Sequence, residues 1–225
     1  MTRYYGEHTK MFVAVDCIIF GFDENKLKLL IGRRQMDPGR GEWSIYGGFV
    51  GENESLDDAA NHVLYKLTGL KQLYMKQVGA YGAIGRDPGD RVISIAYVAL
   101  INVKDYDDSL RIEHGVEWVS LESLPQLYSD HNQMVGDAIH MLRRHINTEP
   151  LSFSLLPELF TLTQLQHVYE AVLGETIDKR NFRKRIKQID FIEKTEIIDK
   201  LTSKRGAALY RFNKKLYEDY PIFKL

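Results

Sequence analysis

The chain has 225 residues, enough for one large or two modest domains, and its 44% hydrophobic and 27% charged residues exclude a disordered or fibrous protein. A single cysteine, Cys17, excludes a disulfide framework and fits a reducing, cytoplasmic setting. The N-terminus has no apolar signal core, and the longest apolar run, Met11 to Phe20, is broken by Asp16 and too short for a bilayer, so no membrane partner is expected.

The net charge of −1 conceals an asymmetry. Residues 151–225 hold 14 bases against 10 acids, while residues 1–150 hold 16 against 21. A basic back half points to a polyanionic partner.

In chain order, Phe12 to Phe22 and Lys26 to Arg34 are apolar runs around Asp23-Glu24-Asn25 and predict a hairpin. Trp43 to Tyr46 predicts a short strand leading into Gly47-Gly48. Leu56, Ala59, Ala60, Val63, Leu64 and Leu67 form one stripe at helical spacing. Ser55 and Asp58 read as its capping box, Asp57 and Asp58 suit the helix dipole, and Gly69 reads as its left-handed stop. Strands follow at Leu73–Tyr81 and Val92–Val103, with Arg86-Asp87-Pro88-Gly89-Asp90 as a turn cluster between them. Gly115–Leu121 predicts a strand with Trp118 buried, and Asp130–Ile146 an amphipathic helix. This order implies an α+β sandwich.

The segment from Gly48 to Leu70 resembles the Nudix box: a Gly, five residues, a Glu, seven residues, Arg-Glu, an aliphatic, any residue, Glu-Glu, any residue, Gly and an aliphatic. Gly48, Glu54, Leu64, Gly69 and Leu70 fit, but His62-Val63 stands in place of Arg-Glu and Lys66-Leu67 in place of Glu-Glu. Nudix hydrolases cut a diphosphate by attack of water, with divalent cations on the phosphates. Magnesium requires oxygen ligands, chiefly carboxylates, gathered on one helix face. Val63 and Leu67 offer none, and Lys66 repels a cation. Glu54 reads as a polar helix-start residue. The frame therefore predicts the Nudix fold without a metal or other cofactor and without catalysis.

Asn147-Thr148-Glu149-Pro150 interrupts the pattern, so the expected domains are 1–150 and 151–225. In the second, Thr163 reads as a helix cap with Gln166 reaching back; Leu165, Val168, Tyr169 and Val172 form the apolar face, and Gly174 ends it. Asp178 opens a second helix. From Lys179 to Lys187, six bases and no acid occupy nine residues. Phe182, Ile186 and Ile189 share one face, while Arg180, Arg183, Lys184 and Lys187 point away. Helix, tight turn and basic helix outline a helix-turn-helix. Two strands, Phe191–Ile198 and Leu209–Phe212, flank a basic tip, Thr202-Ser203-Lys204-Arg205-Gly206, which reads as a wing. The basic helix is expected in the major groove and the tip on phosphates or the minor groove. A solvated charged helix is the bland reading of such a face, and the turn and wing around it argue against that reading. The DNA-facing set is Thr163, Lys179, Arg180, Asn181, Arg183, Lys184, Lys187, Lys204 and Arg205.

Taken together, the chain resembles the Nudix-related transcriptional regulators, a Nudix-like α/β/α sandwich followed by a C-terminal winged helix. The resemblance rests on the run Trp43 to Val50, on Leu156 to Gln166, on Tyr169 to Gly174 and on Asn181-Phe182-Arg183. It implies a bacterial repressor, a homodimer on a palindromic operator, controlled by a small molecule in the Nudix-like pocket. One branch responds to ADP-ribose and governs NAD metabolism; another responds to pentoses. The degraded box favours the second, with arabinose as effector, because a sugar without phosphates needs no metal. The alternatives are the ADP-ribose branch and a metal-dependent pyrophosphohydrolase with an accessory domain. An RNA module has no stacking platform to support it.

The expected effector contacts are Arg33 and Arg34, whose forks suit phosphates or paired hydroxyls, Trp43 and Tyr46 for stacking on a sugar face, and Asp16 and Glu117 as hydroxyl acceptors.

Overall fold

The computed structural model describes residues 6–71, 73–106, 108–200 and 206–219. Strands β1 (Phe12–Asp23) and β2 (Lys26–Arg33) form the expected hairpin, turned by Glu24 and Asn25 at φ 50° and 61°. The strand expected over Trp43 to Tyr46 is divided at Ile45 into β3 (Trp43–Ser44) and β4 (Tyr46–Phe49), because β3 pairs with β2 and β4 with β1. Helix α1 (Leu56–Thr68) carries the Ser55–Asp58 capping box and the left-handed Gly69 stop. Then come β5 (Tyr74–Tyr81), β6 (Val92–Asn102), α2 (Asp108–His114), β7 (Val116–Ser120) and α3 (His131–His145). Short α2 has too few turns to show an apolar stripe in the sequence.

The sheet runs β3-β2-β1-β6-β5, with β4 on the first half of β1 and β7 on β2; β1 and β6 are parallel. Both faces of β1 are buried, which explains its nearly unbroken apolar run. Val15, Cys17 and Ile19 pack toward α1, and Ile18 and Phe20 toward α3. Val116, not Trp118, is the buried residue of β7; Trp118 is half-buried, set edge-on to Tyr106 with centroids 5.7 Å apart.

After Pro150, β8 (Phe160–Thr161), α4 (Leu162–Leu173), α5 (Lys179–Ile186), β9 (Ile192–Asp199), β10 (Ala207–Phe212) and α6 (Lys214–Asp219) complete the described chain. A second sheet runs β8-β10-β9. This is a winged helix behind a Nudix-like sandwich. Their apolar interiors are continuous: Phe20 of β1, Leu142 of α3, Leu151, Leu165 and Tyr169 of α4, and Phe182 of α5 belong to one buried cluster. Among the described residues, no helix is long and apolar enough to cross a membrane.

The α4 cap differs from expectation. Thr161, not Thr163, is the cap, and Gln164 closes the box. Thr-x-x-Gln occurs twice in register at 161 and 163, and the helix takes the earlier pair, where Leu162 and Leu165 are both buried.

Candidate functional site

A cleft of 450 Å³ opens on the α3 side of the sheet, between β1, β4, the loop after β2 and the loop joining β5 to β6. Its volume lies within the range of small-molecule sites. Asp16 of β1, 8% exposed, forms its floor. Ser94 Oγ of β6 donates to Asp16, the Arg86 guanidinium lies 3.7 Å from it, and His131 Nε2 lies 3.9 Å from it. Arg86 also grips Asp130 through two bonds of 2.8 Å. His131 Nδ1 lies 3.2 Å from Ser44 Oγ.

The β1–β4 register makes this floor possible. Gly47 lies opposite Asp16, and a Cβ there would collide with the Asp16 carboxylate and the Val15 carbonyl. Arg34 forms one wall: its guanidinium carbon sits 3.9 Å from the Tyr128 ring centroid, and its Nε donates to the Pro38 carbonyl at 2.9 Å. Phe12 and Phe49, 52% and 58% exposed, form an apolar lip with centroids 5.4 Å apart.

The charges are strongly coupled. Desolvation lowers the His131 pKa, as do the Arg86 and Arg34 charges, against the pull of Asp16 and Asp130; the imidazole is held neutral. Asp130 is partly desolvated, yet the Arg86 bonds keep its pKa below the ordinary value. Burial pushes the Tyr128 hydroxyl up, and that hydroxyl has no hydrogen-bond partner among the described residues.

Of the expected effector set, Asp16 and Arg34 line this cleft. Arg33 does not: it lies 3.6 Å over the Trp43 ring and donates to the Gly41 carbonyl, so it and Trp43 satisfy each other outside the cleft. Tyr46 points to the opposite side of β4, donating to the His114 carbonyl at 2.8 Å. Glu117 is exposed on β7 opposite Ile31. Alternation along the strands sends these side chains elsewhere, and loop geometry brings in Arg86, Tyr128, Asp130 and His131 instead. A bare sequence signal existed only for Arg86, an arginine in a turn rich in aspartates.

The α1 carboxylates are occupied by structural bonds. Glu54 accepts from Gly51 N at 3.0 Å and lies 3.2 Å from His62 Nδ1. Asp57 accepts from Tyr97 Oη at 2.7 Å; burial, and after it this bond, raises the tyrosine pKa to about 12. Asp58 closes the capping box.

The second candidate surface is α5. Asp178 caps it, accepting from the Asn181 amide at 2.8 Å. Phe182 and Ile186 are buried, and Lys179, Arg180, Asn181, Lys184, Arg185 and Lys187 are exposed together. The helix ends at Ile186, one turn before Ile189, so Lys187 is its C-cap rather than an interior residue. Arg183 is half-buried, and its Nη2 donates to Thr163 Oγ1 at 3.2 Å, tying α5 to α4. The turn between them is held by Glu170, which accepts from the Ile177 amide at 2.9 Å and from Gln166 Nε2 at 3.0 Å. The expected wing residues Lys204 and Arg205 lie outside the described residues.

Comparison with known proteins follows the same division. Residues 10–138 match the NUDIX domain, and residues 152–212 match the NrtR DNA-binding winged helix domain. A curated relative from Acinetobacter baylyi, the ADPR responsive transcriptional repressor NtrR, is 34% identical over 216 residues, 94% of this chain and 86% of the relative. The chain belongs to the NrtR family of Nudix-related regulators. The crystal structure of Shewanella oneidensis NrtR with a 27mer DNA superposes with a TM-score of 0.81 at 29% identity, covering 89% of this chain and 93% of that one. The NUDIX domain of that NrtR, complexed with ADP ribose, superposes with a TM-score of 0.51 at 25% identity, covering 60% of this chain and 90% of that one.

These NrtR relatives overturn the expectation of a pentose effector and a role in sugar use. A broken box does not exclude a phosphate-bearing effector. Losing carboxylates removes a cation site, but it does not remove phosphate binding, which arginine and lysine can supply directly.

Proposed function

We propose that this chain is a DNA-binding transcriptional repressor whose Nudix domain binds ADP-ribose, and that this ligand lowers its affinity for operator DNA. The observation that carries the reading is the 34% identity to an ADPR responsive repressor across 94% of the chain. The cleft chemistry is compatible with it. Arg34 offers a guanidinium fork and Asp16 a carboxylate to ribose hydroxyls, and Phe12 and Phe49 offer exposed faces to adenine. On this reading the sensing domain spans residues 1–150 and the DNA reader 151–225, bounds that enclose the family matches at 10–138 and 152–212. The reader presents Lys179, Arg180, Asn181, Lys184 and Lys187 to the major groove, with Arg183 and Thr163 bracing them. Two copies on a palindromic site double the interface, as dimeric readers of this class do. The domain senses without hydrolysing, because the acids at the start of α1 are already engaged in structural bonds.

The test is selection of a duplex from a randomised pool, followed by anisotropy titration with and without ADP-ribose. The expected result is a palindromic site, binding whose log affinity falls linearly with log salt, and release by ADP-ribose but not by arabinose. Linkage requires that the operator weaken ADP-ribose binding by the same factor. A duplex affinity indifferent to ADP-ribose, or rapid turnover of the ligand, would overturn the reading.

A further inference from the structure

Arg34, Gln35 and Met36 leave the end of β2 in succession and face two different cavities. Arg34 and Met36 line the cleft already described, while Gln35 lines a second cavity of 480 Å³ on the α1 side, with Tyr46, Val63, Lys66 and His114. Gly47 lines both. Among the described strands β4 pairs only with β1, so its outer edge is open. Gly47 and Gly48 put no side chain on that edge. The two cavities are lobes on either side of Gly47, the residue they share, an arrangement suited to an elongated ligand passing round the open edge.

The second lobe lies against α1, where a Nudix fold implies a divalent cation. The residues present do not fit one. No group of three or more His, Cys, Asp and Glu among the described residues could hold a metal. Leu67 is 2% exposed and belongs to the core, and the carboxylates of Glu54, Asp57 and Asp58 accept from Gly51, Tyr97 and Ser55 respectively. Lys66 is exposed on the wall of this lobe and forms no ion pair with a described residue. One acid, Glu113, also lines the lobe and is exposed on its rim. An ammonium here does one thing that a bound cation does: it offsets the charge of a diphosphate.

We propose that this second lobe binds the diphosphate of a nucleoside-diphosphate sugar without any divalent cation, the Lys66 ammonium supplying the positive charge and Gln35 the one amide hydrogen that its 3.0 Å bond to the Arg33 carbonyl leaves over. The inference rests on the ADP-ribose reading above and adds where the charge is neutralised and by what.

The test is calorimetric titration of ADP-ribose into the full chain, in EDTA and in magnesium. The wild-type protein is expected to bind within about twofold in the two buffers. Lys66→Gln is expected to lose about tenfold or more in both, and Lys66→Arg to retain most of the affinity. Because Lys66 is exposed, thermal midpoints of the variants should match wild type, which separates lost binding from lost folding. Wild-type binding that strengthens more than tenfold with magnesium, or Lys66→Gln binding like wild type, would overturn this inference and leave the ADP-ribose reading standing. Failure of the wild-type chain to bind ADP-ribose in either buffer would overturn both.

Discussion

The Arg86 guanidinium meets the Asp130 carboxylate in a two-pronged pair, each bond 2.8 Å, with side chains only 6% and 19% exposed. The pair joins the β5–β6 loop to the start of α3, directly over Asp16. Desolvation opposes both charges, and the mutual bonds overcome it, raising the Arg86 pKa and lowering that of Asp130. Arg86→Ala strands Asp130 and Asp16 together, so chemical denaturation should show a loss of about 3 kcal/mol. Arg86→Lys should recover only part of it, because an ammonium cannot form the paired geometry. Equal stability of wild type and Arg86→Ala would show that the pair is solvated rather than buried.

His131 gives this same network a pH dependence. Its folded pKa lies below the ordinary 6.5, so the unfolded chain takes up the proton first as pH falls. Stability is therefore fully present above about 6.5 and declines below it, by at most about 1.4 kcal/mol per pH unit for one proton. Urea midpoints at pH 7.5 and 5.5 should separate for wild type and separate less for His131→Gln. The groups facing the ring are Asp16, Asp130, Arg86 and Arg34, and an identical pH response in His131→Gln would show that this imidazole is not its source.

The recognition helix separates two kinds of base. Lys184 is exposed and Arg183 is half-buried against Thr163. Lys184→Ala should leave the thermal midpoint unchanged, weaken operator binding, and reduce the salt slope by about one if it touches a phosphate. Arg183→Ala should lower the stability by about 1 kcal/mol through the lost Thr163 bond, and weaken DNA binding as a consequence. Arg183→Ala that folds normally yet loses sequence preference would instead make Arg183 a base reader.

Sheet and helix positions were legible because their apolar periods are long: the stripe from Leu56 to Leu67 and the runs of β1, β2 and β6 each fix an element. The helix-turn-helix was legible from Gly174, Asp178 and the bases after it. The cleft was legible only at Asp16 and Arg34. Arg86 comes from a loop some seventy residues after Asp16, and His131 from a helix further on; no spacing rule brings such residues together. Trp43 and Tyr46 have the chemistry of ligand-stacking residues, but that chemistry is used internally, by Arg33 and by the His114 carbonyl. The α4 cap was ambiguous for a different reason, since two overlapping Thr-x-x-Gln patterns satisfy the same rule. The ambiguity has a direct test. Thr161→Ala should cost about 1 kcal/mol, typical of an N-cap, and Thr163→Ala clearly less. The reverse order would move the helix start.

The continuous core makes the last prediction. Tyr169, 1% exposed, lies where α4 packs on α3, and its hydroxyl donates to the Ile146 carbonyl at the end of α3 at 3.0 Å. Arg143 Nε of α3 donates to the Val172 carbonyl of α4 at 2.9 Å. Leu142, Ile146, Leu151 and Leu165 fill the space around them without a break. A winged helix on a mobile tether would melt separately from the sandwich; one sharing a buried interior should melt with it. Calorimetry should therefore give a single transition for the free protein. Tyr169→Phe, which leaves the Ile146 carbonyl unbonded, should lower that transition by an amount equivalent to about 1–2 kcal/mol while keeping it single. Two resolved transitions in wild type would mean the shared core does not couple the winged helix to the sandwich. Any influence of ligand on DNA affinity would then need a route other than α3 and α4.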